Sequence, residues 1–203
     1  AGSAIINYLI KLLGKDKPEI DYFLLTHFHS DHYGSIQEIS GTSDNGYRLT
    51  GLTEVGDVIP IRSYVDRDYP NYNFPVDLLS NTKSTGVELP AFTNLLKFLN
   101  YQKVHNSMKV EKFEVGSDKQ FVLKKEPKSY PNFQVRNIKS NNLLWAGEGK
   151  KTISLFTAEE LLGKSGKYSE NQMSTAVVIK YGNFKYYTCL LYTSPSPRDG
   201  LLS

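Results

Sequence analysis

The sequence predicts an α/β fold, and three observations predict it. Apolar residues at helical spacing open the chain at 4–13. A strand-length apolar run at 21–25 leads through a polar turn into a further short helix. Beyond residue 110, short apolar runs alternate with turn signals. A buried strand followed by a loop and a helix is the layout of α/β units. The 203 residues suit one domain with a sizeable core.

In order, residues 4–13 carry apolar positions at 5, 9, 12 and 6, 10, 13, with Ser3 as the N-cap and Gly14 as the stop. Asp21 to Leu25 reads as a buried strand, Thr26 to His32 as a polar turn, and Tyr33 to Ile39 as a short helix. Residues 40–52 read as loop, Ile61 to Val65 as a strand, and Asp66 to Ser80, with Pro70 and Pro75, as a long connection of the functional or mobile kind. Pro90 opens a helix to about Val104, with Phe92, Leu95, Leu96 and Leu99 on one face. Strands are expected at 109–115 and 121–124 around Gly116-Ser117-Asp118, and at 133–138 and 143–146 around 139–142. A last pair at 175–181 and 184–188 is joined by Gly182-Asn183, a two-residue hairpin signal. Lys164 to Gln172 reads as polar loop, and no internal repeat or second domain is evident.

Composition narrows the function. The balance of 24 Lys and Arg against 21 Asp and Glu leaves +3, too little to argue nucleic-acid binding by itself. No apolar run approaches the ~18 residues that mark a membrane span. The single cysteine rules out a disulfide framework and a Cys-rich zinc site. The chain starts at Ala1 without a charged-then-apolar leader, so the compartment stays open. The run Cys189 to Asp199 resembles a translated sequencing-library adapter, so residues 189–203 are expected to be foreign to the domain and unstructured.

The sharp chemical signal is Thr26-His27-Phe28-His29-Ser30-Asp31-His32. Three of the chain's four histidines fall within six positions, at the end of an apolar strand where α/β proteins place ligands. In extended backbone, residues two apart point the same way, so His27 and His29 can hold one metal from one side. The chain then turns, and Asp31 and His32 face a second metal. Imidazole and carboxylate suit zinc, and also manganese or iron. Two such ions about 3.5–4 Å apart activate a shared water as the nucleophile, which Asp31 also orients.

The pattern His27-x-His29-x-Asp31-His32, with Asp21 to Thr26 before it and Gly34 after it, resembles the signature of the metallo-β-lactamase superfamily. The resemblance implies a four-layer αββα sandwich over residues 1–188, incomplete here. It assigns His27 and His29 to a first zinc ion, and Asp31 and His32 to a second. The segment Asn171 to Thr188 is similar to ComEC-type competence hydrolase domains, whose following Gly-Asp and His-His-Gly-Ser motifs are absent. Phe28 and Ser35 depart from that group's usual Pro and Gly. The implied activity is hydrolysis by a metal-bound hydroxide, on phosphodiester bonds in the ComEC-like case, with the chain expected to have an impaired site. The alternatives are a hydrolase of a small ester, thioester or lactam, its pocket set by loop 40–80, or a non-catalytic binding module. The partner is thus a small molecule or a nucleic acid.

Other residues take blander readings. His105 is a conceivable further ligand, but reads first as an exposed helix-end histidine. Asn171 and Ser174 cap the start of the last hairpin, with substrate contact as the second reading. Asp66, Arg67 and Asp68 resemble a catalytic cluster but are expected to be solvated. Trp145 is assigned to the core, and the lysines around 103–112 and 124–128 to a mixed charged surface.

Overall fold

The computed structural model describes residues 2–14, 18–80, 86–162 and 168–189. The adapter-like run therefore lies outside the described residues except for Cys189, the last residue of a strand.

The first half alternates helix and strand: α1 (Gly2–Leu13), β1 (Ile20–Leu24), α2 (Gly51–Val58), β2 (Ile61–Asp66), α3 (Leu89–His105) and β3 (Lys109–Lys112). The three strands form a parallel sheet in the order β1-β2-β3. Residues from β4 (Phe133–Ser140), β5 (Leu143–Trp145), β6 (Thr152–Ser154), β7 (Ala176–Tyr181) and β8 (Phe184–Cys189) form an antiparallel sheet in the order β6-β5-β4-β7-β8. A short α4 (Ala158–Leu162) precedes β7.

Two apolar cores define the layers. On one face of the parallel sheet, Phe23 and Tyr64 pack with Leu52 of α2 and with Phe92, Leu95, Phe98 and Leu99 of α3. On its other face, Tyr22, Leu24 and Val65 meet Phe133, Val135, Val177 and Ile179 of the antiparallel sheet. The molecule is thus α/β, with helices, parallel sheet and antiparallel sheet stacked in that order, as an αββα sandwich requires of its first three layers. Phe184, Tyr186 and Tyr187 of β8 are each more than half exposed.

Three expectations about these elements need correction. Helix α1 starts at Gly2, so Ser3 lies inside it rather than capping it. Residues 33–39 are not helical; only a 3-10 turn at Ser30–His32 follows β1, and the true helix, α2, starts eighteen positions later than expected. Thr50 and Thr53 box its N-terminus, each side chain accepting from the other's backbone N–H. Gly56 is tolerated within it because an added Cβ would lie 2.4 Å from the Phe98 ring, so only glycine lets α2 approach α3 this closely. Residues 113–124 form no hairpin. β3 pairs parallel to β2, and Phe113, Val115 and Phe121 instead plug the space between the sheets. The chain there bonds to β4, with Gly116 N–H donating to Asn137 O and Asn137 N–H to Ser117 O. The hairpins β4–β5 and β7–β8 form as expected.

Candidate metal centre

The histidine loop leaves β1 as the pattern requires. Leu25 N–H donates to Val65 O at 2.9 Å, prolonging the β1–β2 pairing by one residue. Thr26 O then accepts from Thr175 N–H at 3.0 Å, tying the loop to the start of β7. The backbone stays extended, with His29 at φ −74° and ψ 134°. Successive side chains alternate accordingly. Phe28 is fully buried, its ring 5.1 Å from Phe92 and 5.6 Å from Tyr72. His27 and His29 share the opposite side, with His27 Nε2 3.2 Å from His29 Nδ1.

The 3-10 turn then folds the chain back. His32 N–H donates to His29 O at 3.0 Å, and Gly34 N–H to Ser30 O at 2.6 Å. This brings the His32 ring to 4.1 Å, centroid to centroid, from that of His27. Asp31 Oδ2 lies 3.8 Å from His32 Nε2, and the Asp31 side chain is 79% exposed. The structure therefore brings the three imidazoles into contact and leaves Asp31 on the rim beside His32. Among the described residues, no three or more His, Cys, Asp or Glu side chains converge on one metal-sized point. The quartet is two pairs, not one cage.

Each pair supplies two donors, short of the three or four protein ligands that zinc takes. Two nitrogens on one tetrahedral zinc, each about 2.0–2.1 Å from it, stand roughly 3.3–3.4 Å apart. The 3.2 Å between His27 Nε2 and His29 Nδ1 fits such an ion. Burial, reinforced by the neighbouring His32 and His29 rings, holds the His27 imidazole down to about 4. His27 is thus neutral near pH 7, the form that ligates metal.

The residues set aside from the sequence divide. His105 ends α3 exposed, stacked on Tyr101 with centroids 4.4 Å apart. Asn171 is exposed, and its carbonyl accepts from Ser174 N–H at 3.2 Å in the turn before β7. Trp145 packs at the edge of the inter-sheet core, its Nε1–H donating to Gly149 O. Of the lysines, Lys109 pairs with Glu111 and Lys112 with Asp68, Lys103 donates to the Tyr69 hydroxyl, and Lys124 lies over the Tyr22 ring.

Asp66, Arg67 and Asp68 overturn the expectation of a solvated loop, for all three are buried. The Arg67 guanidinium grips Glu170 with Nε–H to Oε1 at 2.7 Å and an Nη2–H to Oε2 at 2.8 Å. Asp66 accepts from the N–H groups of Asp68 and Tyr69 and from the Tyr72 hydroxyl, and burial pushes its carboxyl up to about 6. Glu170 escaped the sequence reading altogether. Its partner is 103 residues away, and only the break of a polar stretch just ahead of a strand marked its place.

A cleft of about 600 Å³ opens beside Asp31 and His32. Ile5 and Leu9 of α1, Phe23 of β1, and Leu49 and Leu52 supply apolar parts of its wall.

Residues 1–55, which include the whole quartet, match the sequence profile of the metallo-beta-lactamase superfamily. Over 58 residues the chain is 36% identical to a UPF0173 metal-dependent hydrolase of Staphylococcus carnosus (strain TM300). That stretch is 29% of this chain and 24% of the relative, so the likeness reaches about a quarter of the relative's length.

Proposed function

We propose that this chain carries part of the active site of a metal-dependent hydrolase, with His27 and His29 on one zinc ion and Asp31 and His32 facing a second. The observation that carries this reading is the 3.2 Å approach of His27 Nε2 to His29 Nδ1, two imidazole nitrogens held on one side of an extended loop. A bound ion of this kind lowers the pKa of coordinated water toward ~7 and stabilises negative charge as the attacked bond breaks. The chain's own residues supply the rest. The His27 ring is kept neutral by burial, and Asp31, exposed beside His32, takes the role of orienting the attacking water.

For the bond attacked, the finer reading is a phosphodiester, supported by the likeness of 171–188 to ComEC-type domains. The apolar cleft beside His32 supports a second reading, a small ester, thioester or lactam with an apolar portion; Leu49 and Leu52, from the segment 40–80, line it.

Zinc or cobalt titration of the purified chain tests the centre. His27→Ala and His29→Ala are expected to weaken metal binding tenfold or more, and His105→Ala to leave it unchanged. Binding that is indifferent to both loop substitutions defeats the reading. A panel of phosphodiester, ester, thioester and lactam substrates, presented to the metal-loaded protein, separates the two substrate classes.

A further inference from the structure

The Arg67–Glu170 pair is an unusual thing to bury. Both side chains are wholly shielded from water. Removing two charges from water consumes most of what their attraction returns, and apolar residues of similar volume often serve stability as well or better. Stability alone is thus a weak reason for the pair, and its contacts point elsewhere. Glu170 Oε1, besides accepting from Arg67, accepts the backbone N–H of Phe28 at 2.9 Å. Phe28 is the residue between His27 and His29. The Arg67 guanidinium lies over the Phe28 ring, 4.6 Å from its centroid. One carboxylate oxygen and one guanidinium therefore grip the backbone and the ring of the same residue.

The clamp is itself braced. An Arg67 Nη1–H donates to Phe74 O at 2.9 Å and to Asn141 Oδ1 at 3.0 Å. Asn141 Nδ2–H returns to Arg67 O, and Asn141 N–H donates to Met173 O. The Tyr168 hydroxyl donates to Glu170 Oε2 at 2.9 Å. The brace thus links the end of β2, the β4–β5 turn and the segment before β7.

We propose that Arg67 and Glu170 are positioning residues for the metal loop: by holding Phe28 from the core side, they fix the separation of the His27 and His29 nitrogens on the other side. The role rests on the metal-binding reading above. It assigns a task to a residue pair remote in sequence from the histidines and outside their donor set. Groups that hydrogen-bond metal ligands directly are worth about 10–100-fold in metal affinity, and the pair acts one residue further out.

Two double variants isolate the contact. In R67M/E170L both charges go and no acceptor remains for Phe28 N–H. In R67M/E170Q both charges go, but an amide oxygen remains. Hydrogen exchange of the Phe28 amide in the metal-free protein, read against amides of β4 and β7 in the same sample, reports the clamp without metal. Zinc affinity by titration reports its consequence. For R67M/E170L, at least tenfold faster Phe28 exchange and at least tenfold weaker zinc binding are expected with β4 and β7 protection kept. For R67M/E170Q, both quantities are expected to return to within about threefold of wild type. Equal exchange and equal zinc affinity in the two variants overturn the proposal. If wild type binds no zinc, the metal reading falls, and the exchange ratio still decides whether the clamp holds the loop. Should neither variant fold, replacing the Phe28 amide by an ester removes the N–H, with an oxygen in its place, and leaves both side chains of the pair intact. Faster His29 amide exchange then supports the clamp, and unchanged exchange sinks it.

Discussion

Two buried carboxylates in this molecule answer the same physical problem in different ways. Glu170 meets a guanidinium in a two-point ion pair. Asp66, at the end of β2 and next in sequence to that guanidinium's own residue, is met by two backbone N–H groups and a tyrosine hydroxyl. The first solution keeps a charge by supplying its opposite. The second supplies dipoles at hydrogen-bond distance, with the Arg67 charge acting only as a minor influence, and burial pushes the Asp66 carboxyl up to about 6. A charge-for-charge match makes each partner depend on the other. A dipole match makes the site depend on pH.

The largest effect that sharpens this contrast is expected from Glu170→Ala. It strands the Arg67 charge in the core and frees Phe28 N–H, and should destabilise the fold by about 3–5 kcal/mol in urea unfolding. A loss below about 1 kcal/mol would mean that water reaches the guanidinium.

Asp66→Asn is expected to behave quite differently. The folded pKa lies above the ordinary 3.8, so the folded state holds its proton more tightly than the unfolded state does. Stability from Asp66 is therefore full below about pH 4 and is lost as pH rises through about 6. Wild type minus Asp66→Asn should accordingly fall by about 2–3 kcal/mol between pH 4 and pH 7. Unfolding of the metal-free pair at both pH values checks the sign, and a flat difference would show that the dipoles alone hold the charge.

Tyr168→Phe removes one neutral donor from Glu170 Oε2 and leaves the ion pair in place. Its cost, measured by thermal unfolding, is expected near 1–2 kcal/mol. Lys150→Ala, which breaks a pair with Glu114 on the surface, is the floor of the series. There, water and salt leave an expected effect under about 1 kcal/mol.

The same contrast explains what could be read in the sequence. The histidine loop was legible because its logic is local: alternation along one extended segment puts His27 and His29 together, and six positions contain the four candidate ligands. The hairpin β7–β8 was legible for the same reason, through Gly182-Asn183. Arg67 was not, because Asp-Arg-Asp ahead of a proline has the local composition of a solvated loop, and what buries it lies a hundred residues away. Helix α2 was missed because Gly51, Thr53, Val55 and Gly56 are poor helix formers. Its glycine serves the packing against Phe98, which no local pattern records. The stretch 113–124 misled through a turn signal that was real, while its apolar residues were committed to the inter-sheet core.

Where the loop ends also matters. Gly34 has φ +114°, and a Cβ there would sit 2.7 Å from the Gly51 nitrogen and the Thr50 carbonyl carbon. Leu52 N–H donates to Tyr33 O beside it. The segment bearing the imidazoles is therefore a short bridge resting on three piers, Thr175 at one bank, Glu170 under the span and the first turn of α2 at the other. A methyl group added at position 34 would lift the far pier and tilt His32 without touching a donor atom.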